Sequence, residues 1–513
     1  MSSGIDRGRS AEPSATAAAR REDLEHERNE ELHGGAPTRD FKFSSAFALA
    51  FSDISPIVGI YSVFAISFAL AGPGWFWALP IVLIGQLLVT GVFGDLVSKW
   101  PFQGSVYAWS KELVGPRFGW MTAWAYMWGL TLTLSVLGLA AAQYLLAALN
   151  VTGFSKEAVA AVSLGVILLA TSANMLGGNT LKRLLYITLT CELVASVGIG
   201  TVLLFFHRTN SFSTLFHGAG SGHSPPLLLG PFLGAVAFVG YSFVGFEAAG
   251  SIAEEVRESR RVLPKAMVLS LAVAGCLVIY ACLGISLSIP NIGAVLSGQV
   301  ADPITSTLET RLGSAAGRVV LVVLTIGFTA SLIAVQAAVS RAIWAAARDR
   351  VLPAADALGS LSGRHRMPRH AIALTVLISA PLPFISFSKI YTLLLSFSTA
   401  GFYISYAMPV VALVVVRMRK RWVPGPVSMG RWSGPVTVIA AIWIVFETIN
   451  VAWPRDFNPQ WWLNWGLIIM TVVLGTIGLI MCNRIFRGRA VGGGGVASGS
   501  GEPAATMDVR GEA

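Results

Sequence analysis

The chain has 513 residues, of which 54% are hydrophobic and 12% charged, and a formal net charge of +10. A soluble domain carries about 25% charged residues, so the composition excludes a protein whose main solvent is water. The positive charge is dispersed along successive loops rather than gathered on one patch, which argues against a nucleic-acid partner.

Residues 1–41 are charged and Ala-rich with no apolar core, so they read as a disordered cytoplasmic tail and not as a cleavable signal peptide. Apolar runs of about 20 residues, the length that crosses a hydrocarbon core, then recur along the sequence. Twelve spans are predicted, near 44–71, 76–98, 118–149, 155–175, 182–206, 229–255, 265–289, 317–347, 370–387, 390–416, 435–452 and 461–483. The runs lack the apolar/polar alternation of barrel strands, so the expected fold is an all-α polytopic membrane protein. Residues 486–513 read as a second disordered cytoplasmic tail. Of the 37 lysines and arginines, 30 fall in the tails or in and beside alternate loops. That bias predicts a multi-pass protein of the cell (plasma or inner) membrane with both termini cytoplasmic.

Two of these spans carry interruptions. In the first, "FSDISPIVGIYSVF" (51–64) places Asp53, Pro56 and Gly59 at mid-depth. Proline lacks a backbone donor and clashes with the preceding turn, while glycine tolerates angles a helix forbids, so the helix is expected to open across Pro56 and Gly59. In the sixth, "YSFVGFE" (Tyr241–Glu247) repeats the pattern of a serine, then Val-Gly and a bulky residue. Interrupted segments at matching places in two halves point to a transporter binding site. Opened helices expose carbonyls and N–H groups, which in lipid must face a cavity or a polar guest. A small substrate with an amine and a carboxylate supplies both partners, its carboxylate near the positive half-helix N-terminus. Taken alone, either interruption also fits a simple kink in a buried helix.

Four acids lie at depth inside spans: Asp53, Glu192, Glu247 and Glu447. Ionisable groups at depth are functional candidates because burial penalises the charged form. Glu192, with no basic residue within a helical turn, is expected to be the coupling or substrate-cation residue, taking up H+ or Na+; the alternative is a structural, hydrogen-bonded glutamate. Glu247 reads either as a link between substrate site and gate or as a cap on the second half-helix. Asp53 reads as stabilising the opening of the first span, and Glu447 as a helix-packing contact. Trp120, Trp124 and Trp128 form a stripe that lines a cavity or, more simply, packs or belongs to an interfacial belt. The basic loop from Arg348 to Arg369 reads as a topological signal, with lipid headgroup binding second. Cys191, Cys276, Cys282 and Cys482 all lie in spans and form no CxxC, and all seven histidines lie in tails or loops, so no metal site or cofactor is expected beyond the coupling ion. Motifs such as HExxH, GxSxG and GxxxxGK[ST] do not occur, so no enzyme is expected.

At "GFEAAGSIAEEVRESRRVLPKAM" (Gly245–Met267) the chain resembles the amino acid–polyamine–organocation (APC) superfamily of secondary transporters, through Gly245, Phe246, Glu247, Glu254, Glu255, Val256, Arg261 and Pro264. "SRAIWAAARDRVLP", "PFQGSVYAWS", "STAGFYISYAMPV" and the stretch from Pro424 to Pro454 extend the resemblance over roughly 42–485, closest to the amino acid/choline transporter branch. The resemblance implies a leucine-transporter-like 5+5 inverted repeat with 12 transmembrane helices: 42–206 as the first five-helix repeat, 207–417 as the second and 418–485 as two appended helices. It further implies that Ser55, Pro56, Ile57, Val58 and Gly59, with Tyr241, Ser242, Phe243, Val244 and Gly245, hold the substrate, and that Tyr241 and Glu247 gate it. The implied function is a permease moving a small amino acid or related amine by alternating access, through ion-coupled symport or exchange. A choline or polyamine transporter and a non-transporting nutrient sensor are the alternatives.

Overall fold

The computed structural model describes residues 41–151, 155–176, 178–218, 230–300, 302–362, 367–385, 390–455 and 461–492. Most of the two predicted tails lies outside these residues, and the parts within them are structured. Phe41 donates its N–H to Glu255 O at 2.9 Å and accepts from Arg257 N–H at 3.0 Å. The last helix, Gly466–Gly492, runs on past the expected end of the twelfth span.

The described residues contain eleven helical stretches long and apolar enough to cross a membrane. The twelfth expected span, the ninth in order, is the shorter apolar helix Arg369–Ile385. It consists of Arg369–Ser379 and Leu382–Ile385. Pro381 and Pro383 lie where the pieces part, and each removes an N–H donor from the ladder. The loop before the eighth span also holds a helix that composition did not reveal, Pro303–Leu312, capped by Asp302, whose carboxylate accepts from Ile304 N and Thr305 N.

The third span, Pro116–Ala148, has 33 residues and the eighth, Ser314–Arg348, has 35. At 1.5 Å rise per residue each is about 50 Å long, against a hydrocarbon core of about 30 Å, so each is long enough to tilt or to project beyond the core. They pack along each other, and the third also packs along the tenth, Ile390–Met418. There Gly129 faces Gly401 so closely that a Cβ on Gly401 would lie 2.5 Å from Gly129 Cα. Small residues permit such crossings, since van der Waals contact rather than water exclusion holds helices together in lipid.

The first and sixth spans touch, the second (Ala78–Lys99) packs on the seventh (Ser259–Ser288), the third on the eighth and the fourth (Lys156–Met175) on the ninth. Four spans thus each touch the span five later in the chain. The two interrupted spans are the most enclosed, with 83% of the apolar window buried in the first and 89% in the sixth, against 17% in the last.

Candidate substrate site

The first span breaks at Ser55, which takes the left-handed side of backbone space (φ 44°) between helices Phe43–Ile54 and Pro56–Tyr61. This corrects the expectation that Gly59 supplies the opening. Pro56 sits at the first position of the second half-helix, where its missing N–H costs nothing, and Ser55 caps that helix by accepting from Val58 N–H at 3.2 Å. Gly59 N–H bonds Ser55 O at 2.8 Å, so Gly59 is helical. Among the described residues, Ile57 N–H is the first-turn donor of this half-helix that no hydrogen bond occupies. Gly59 serves close approach instead: a Cβ there would lie 3.2 Å from both Ser242 O and Val278 Cγ2.

The sixth span runs as a helix from Pro231 to Val239, tightens into a 3₁₀ turn over Gly240–Phe243, and is extended at Val244. Gly245 then adopts φ 101°, which only glycine takes without strain, and the chain turns helical again at Ala248–Ser251. The two breaks meet directly. Ser242 Oγ donates to Gly59 O at 2.7 Å, and a Cβ on Gly245 would lie 2.6 Å from Asp53 Oδ1. Asp53 O accepts from Ser331 Oγ of the eighth span at 3.3 Å, while Asp53 Oδ2 is buried without a partner.

Glu247 is fully buried, and its carboxylate does not cap the second half-helix, which removes that reading. It is gripped by two tyrosines instead. Tyr126 OH of the third span donates to Oε1 at 2.8 Å, and Tyr406 OH of the tenth donates to Oε2. Tyr406 OH also accepts from Gly245 N–H at 3.0 Å, so one side chain holds both the strained glycine and the acid that follows it. Ser105 Oγ, in the loop after the second span, donates to Glu247 O at 3.1 Å. Sequence reasoning missed both tyrosines. Tyr406 stands inside a motif quoted for resemblance, and Tyr126 lies on the face of the third span away from its tryptophans.

Glu192, on the fifth span, Gly178–Phe206, is fully buried, and neither carboxylate oxygen has a hydrogen-bond partner. The Ser55 hydroxyl lies close enough to interact with it, which puts this acid beside the first break. A void of about 10 Å³, room for one water, lies against the half-helix that follows the first break, between Ile57, Tyr61, Ser196 and Ala281. Tyr241 is buried with its hydroxyl near Thr133 but unbonded, and Tyr61 OH is likewise buried and unbonded. The tryptophan stripe divides between the two readings, and the groove it lines is apolar and apart from the paired breaks. Trp120 donates to Val351 O at 2.6 Å, Trp124 donates to Leu474 O at 2.9 Å, and Trp124 and Trp128 line an apolar groove of about 140 Å³ between the third, tenth and twelfth spans.

One end of the site is closed by ion pairs from the motifs that carried the resemblance. Arg341 of the eighth span bonds both oxygens of Glu255, at 2.6 and 3.3 Å, and Arg348 bonds both of Glu254, at 2.8 and 2.9 Å. Gln103 adds bonds to Glu254 and Glu255, and Asp349 accepts from Tyr107 and Lys111. Arg348 is thus part of this closure, a contact that neither sequence reading of its loop, as topological signal or as lipid headgroup site, had included. No group of His, Cys, Asp and Glu among the described residues could hold a metal ion.

Known proteins share this architecture in sequence. A family described as amino acid permease matches residues 41–474. Amino-acid permease BAT1 of Arabidopsis thaliana is 26% identical over 453 residues, covering 80% of this chain and 84% of that protein. Branched-chain amino acid permease BcaP is 24% identical in Lactococcus lactis, covering 68% of this chain and 76% of that one. Its namesake in Bacillus subtilis is 20% identical, covering 83% and 91%. A match over most of the length, on an all-helical membrane fold with paired breaks, makes the chain a member of the amino acid permease family of the APC superfamily, a transporter and not an enzyme.

Proposed function

We propose that this permease moves a small amino acid or related amine across the cell membrane by alternating access, as an ion-coupled symporter or an exchanger. The observation that carries the proposal is the meeting of two helix breaks beside Glu192, a fully buried acid with both oxygens unpartnered. An anion buried without a partner is costly by several kcal/mol, so the site calls for a cation or a proton. In this scheme the substrate carboxylate lies at the Pro56–Tyr61 half-helix N-terminus, where Ile57 N–H is free, and the amine faces the carbonyls of the Tyr241–Gly245 break. Ser55 to Gly59 and Tyr241 to Gly245 form the binding segments, Glu192 takes the coupling H+ or Na+, and Tyr241 with Glu247 gates the site.

Apolar Ile57, Val58, Phe243 and Val244 beside the polar breaks suit an aliphatic side chain, in keeping with relatives named branched-chain permeases. Residues 42–206 and 207–417 act as the two repeats, with 418–485 appended. The bias of basic residues toward alternate loops supports a cytoplasmic position for both termini and for the closure around Glu254 and Glu255. Proteoliposomes with an imposed proton or sodium gradient test the scheme. Labelled L-leucine is expected to accumulate in wild type, and Glu192→Gln to lose gradient-driven accumulation while keeping exchange. Binding without accumulation in wild type would identify a sensor instead, and an unchanged pH profile in Glu192→Gln would remove Glu192 from the coupling role.

A further inference from the structure

Glu447 lies on the eleventh span, Ser433–Ala452, only 33% of whose apolar window is buried. The buried seam of that helix runs through Thr437, Ala440, Ile444, Glu447 and Asn450, and Glu447 itself is fully buried. Its Oε2 accepts from Asn450 Nδ2 at 3.1 Å, and its Oε1 has no partner. The same amide nitrogen donates to Leu233 O at 3.0 Å, in the first half-helix of the sixth span. Arg455 fixes the other side of that amide, donating to Asn450 Oδ1 and, at 2.8 Å, to Asn450 O. Asn450 is therefore oriented from both ends and aimed at a helix that leads into the substrate break.

The far end of that half-helix is held from the same quarter. Tyr403 OH donates to Gly240 O at 3.4 Å and accepts from Gln86 Nε2 at 2.6 Å. Glu447 is near enough to Tyr403 to interact electrostatically. One turn earlier on the eleventh span, Trp443 packs against Gly85, the neighbour of Gln86. Trp443 Nε1, Gln86 Oε1 and Glu447 Oε1 are all buried without partners. A contact serving packing alone needs none of these polar atoms, since an apolar residue of the same volume fills the space at no desolvation cost.

We infer that Glu447 is a positioning residue: by orienting Asn450 onto Leu233 it holds the Pro231–Val239 half-helix in place, so the eleventh span sets how readily that half-helix swings. The inference rests on the proposed alternating access, and takes the half-helix that leads into the substrate break as one of the parts that move. Its test reads the packing of the half-helix and not transport, so the two fail separately.

The test uses the full-length chain in proteoliposomes, with Cys191, Cys276, Cys282 and Cys482 replaced by serine and Ala235→Cys as reporter. Ala235 is fully buried on the half-helix, so alkylation by N-ethylmaleimide measures its opening. Glu447→Met, which keeps volume and removes the acceptor, is expected to raise the alkylation rate about fivefold, the equivalent of one lost hydrogen bond. Glu447→Gln still accepts from Asn450 and is expected to stay within about twofold of the parent. Asn450→Leu is expected to match Glu447→Met and carries the test if that variant does not fold. Parent-like rates in Glu447→Met or Asn450→Leu, or equal acceleration in Glu447→Gln and Glu447→Met, would overturn the inference.

Discussion

A carboxylate buried between two tyrosine hydroxyls behaves differently from one buried alone, and Glu247 and Glu192 present the two cases side by side. Glu247 receives a donor on each oxygen, from Tyr126 and Tyr406. Removing one leaves a buried acceptor unsatisfied, at a cost of about 1–3 kcal/mol. Tyr126→Phe is therefore expected to lower the thermal unfolding midpoint in detergent. Tyr406→Phe should lower it further, because that hydroxyl also accepts from Gly245 N–H. Equal midpoints for the two variants would mean that the Gly245 contact contributes nothing. The identity of each acid was legible in the sequence as a charge within an apolar run. Its partners were not, because Tyr126 and Tyr406 stand 121 and 159 residues away from Glu247.

The breaks belong to the scale of the helix, and here local chemistry predicted existence better than position. Pro56 signals an interruption in the first span, yet a proline is well placed at the start of a helix, so the chain opens one residue earlier, at Ser55. Gly59 had read as a source of unusual angles and proves to be a contact surface for Ser242 and Val278. Gly245 is where conformational freedom is required. A methyl there meets Asp53 Oδ1 at 2.6 Å and must also adopt φ 101°, whereas at Gly59 the nearest atoms are at 3.2 Å in helical geometry. Strain of this kind costs about 1–3 kcal/mol, so Gly245→Ala is expected to reduce initial uptake about tenfold or more, and Gly59→Ala less. Uptake assays with surface expression controlled check the order, and the reverse ranking would show that the sixth-span break tolerates a side chain.

Across the whole molecule, one end of the site is closed by groups drawn from the loop after the second span, the end of the sixth and the end of the eighth. The two arginines in that closure are not equivalent. Arg341 is 3% exposed against Glu255 at 12%, while Arg348 is 41% exposed. Breaking a buried pair costs about 3–5 kcal/mol, and a pair with one partner open to solvent costs less, so Arg341→Ala should destabilise more than Arg348→Ala in thermal unfolding. Similar losses would place both pairs in the same dielectric. Composition and hydrophobic run length by themselves determined that the chain is an all-helical membrane protein, because lipid leaves backbone polar groups no other way to be satisfied, and local proline and glycine signalled the breaks in the first and sixth spans. Which side chains converge on those interruptions was decided only by tertiary packing. The packed third, eighth and tenth helices bring Tyr126, Ser331 and Tyr406 to the two breaks from distant parts of the chain, and no local periodicity encodes where such helices cross.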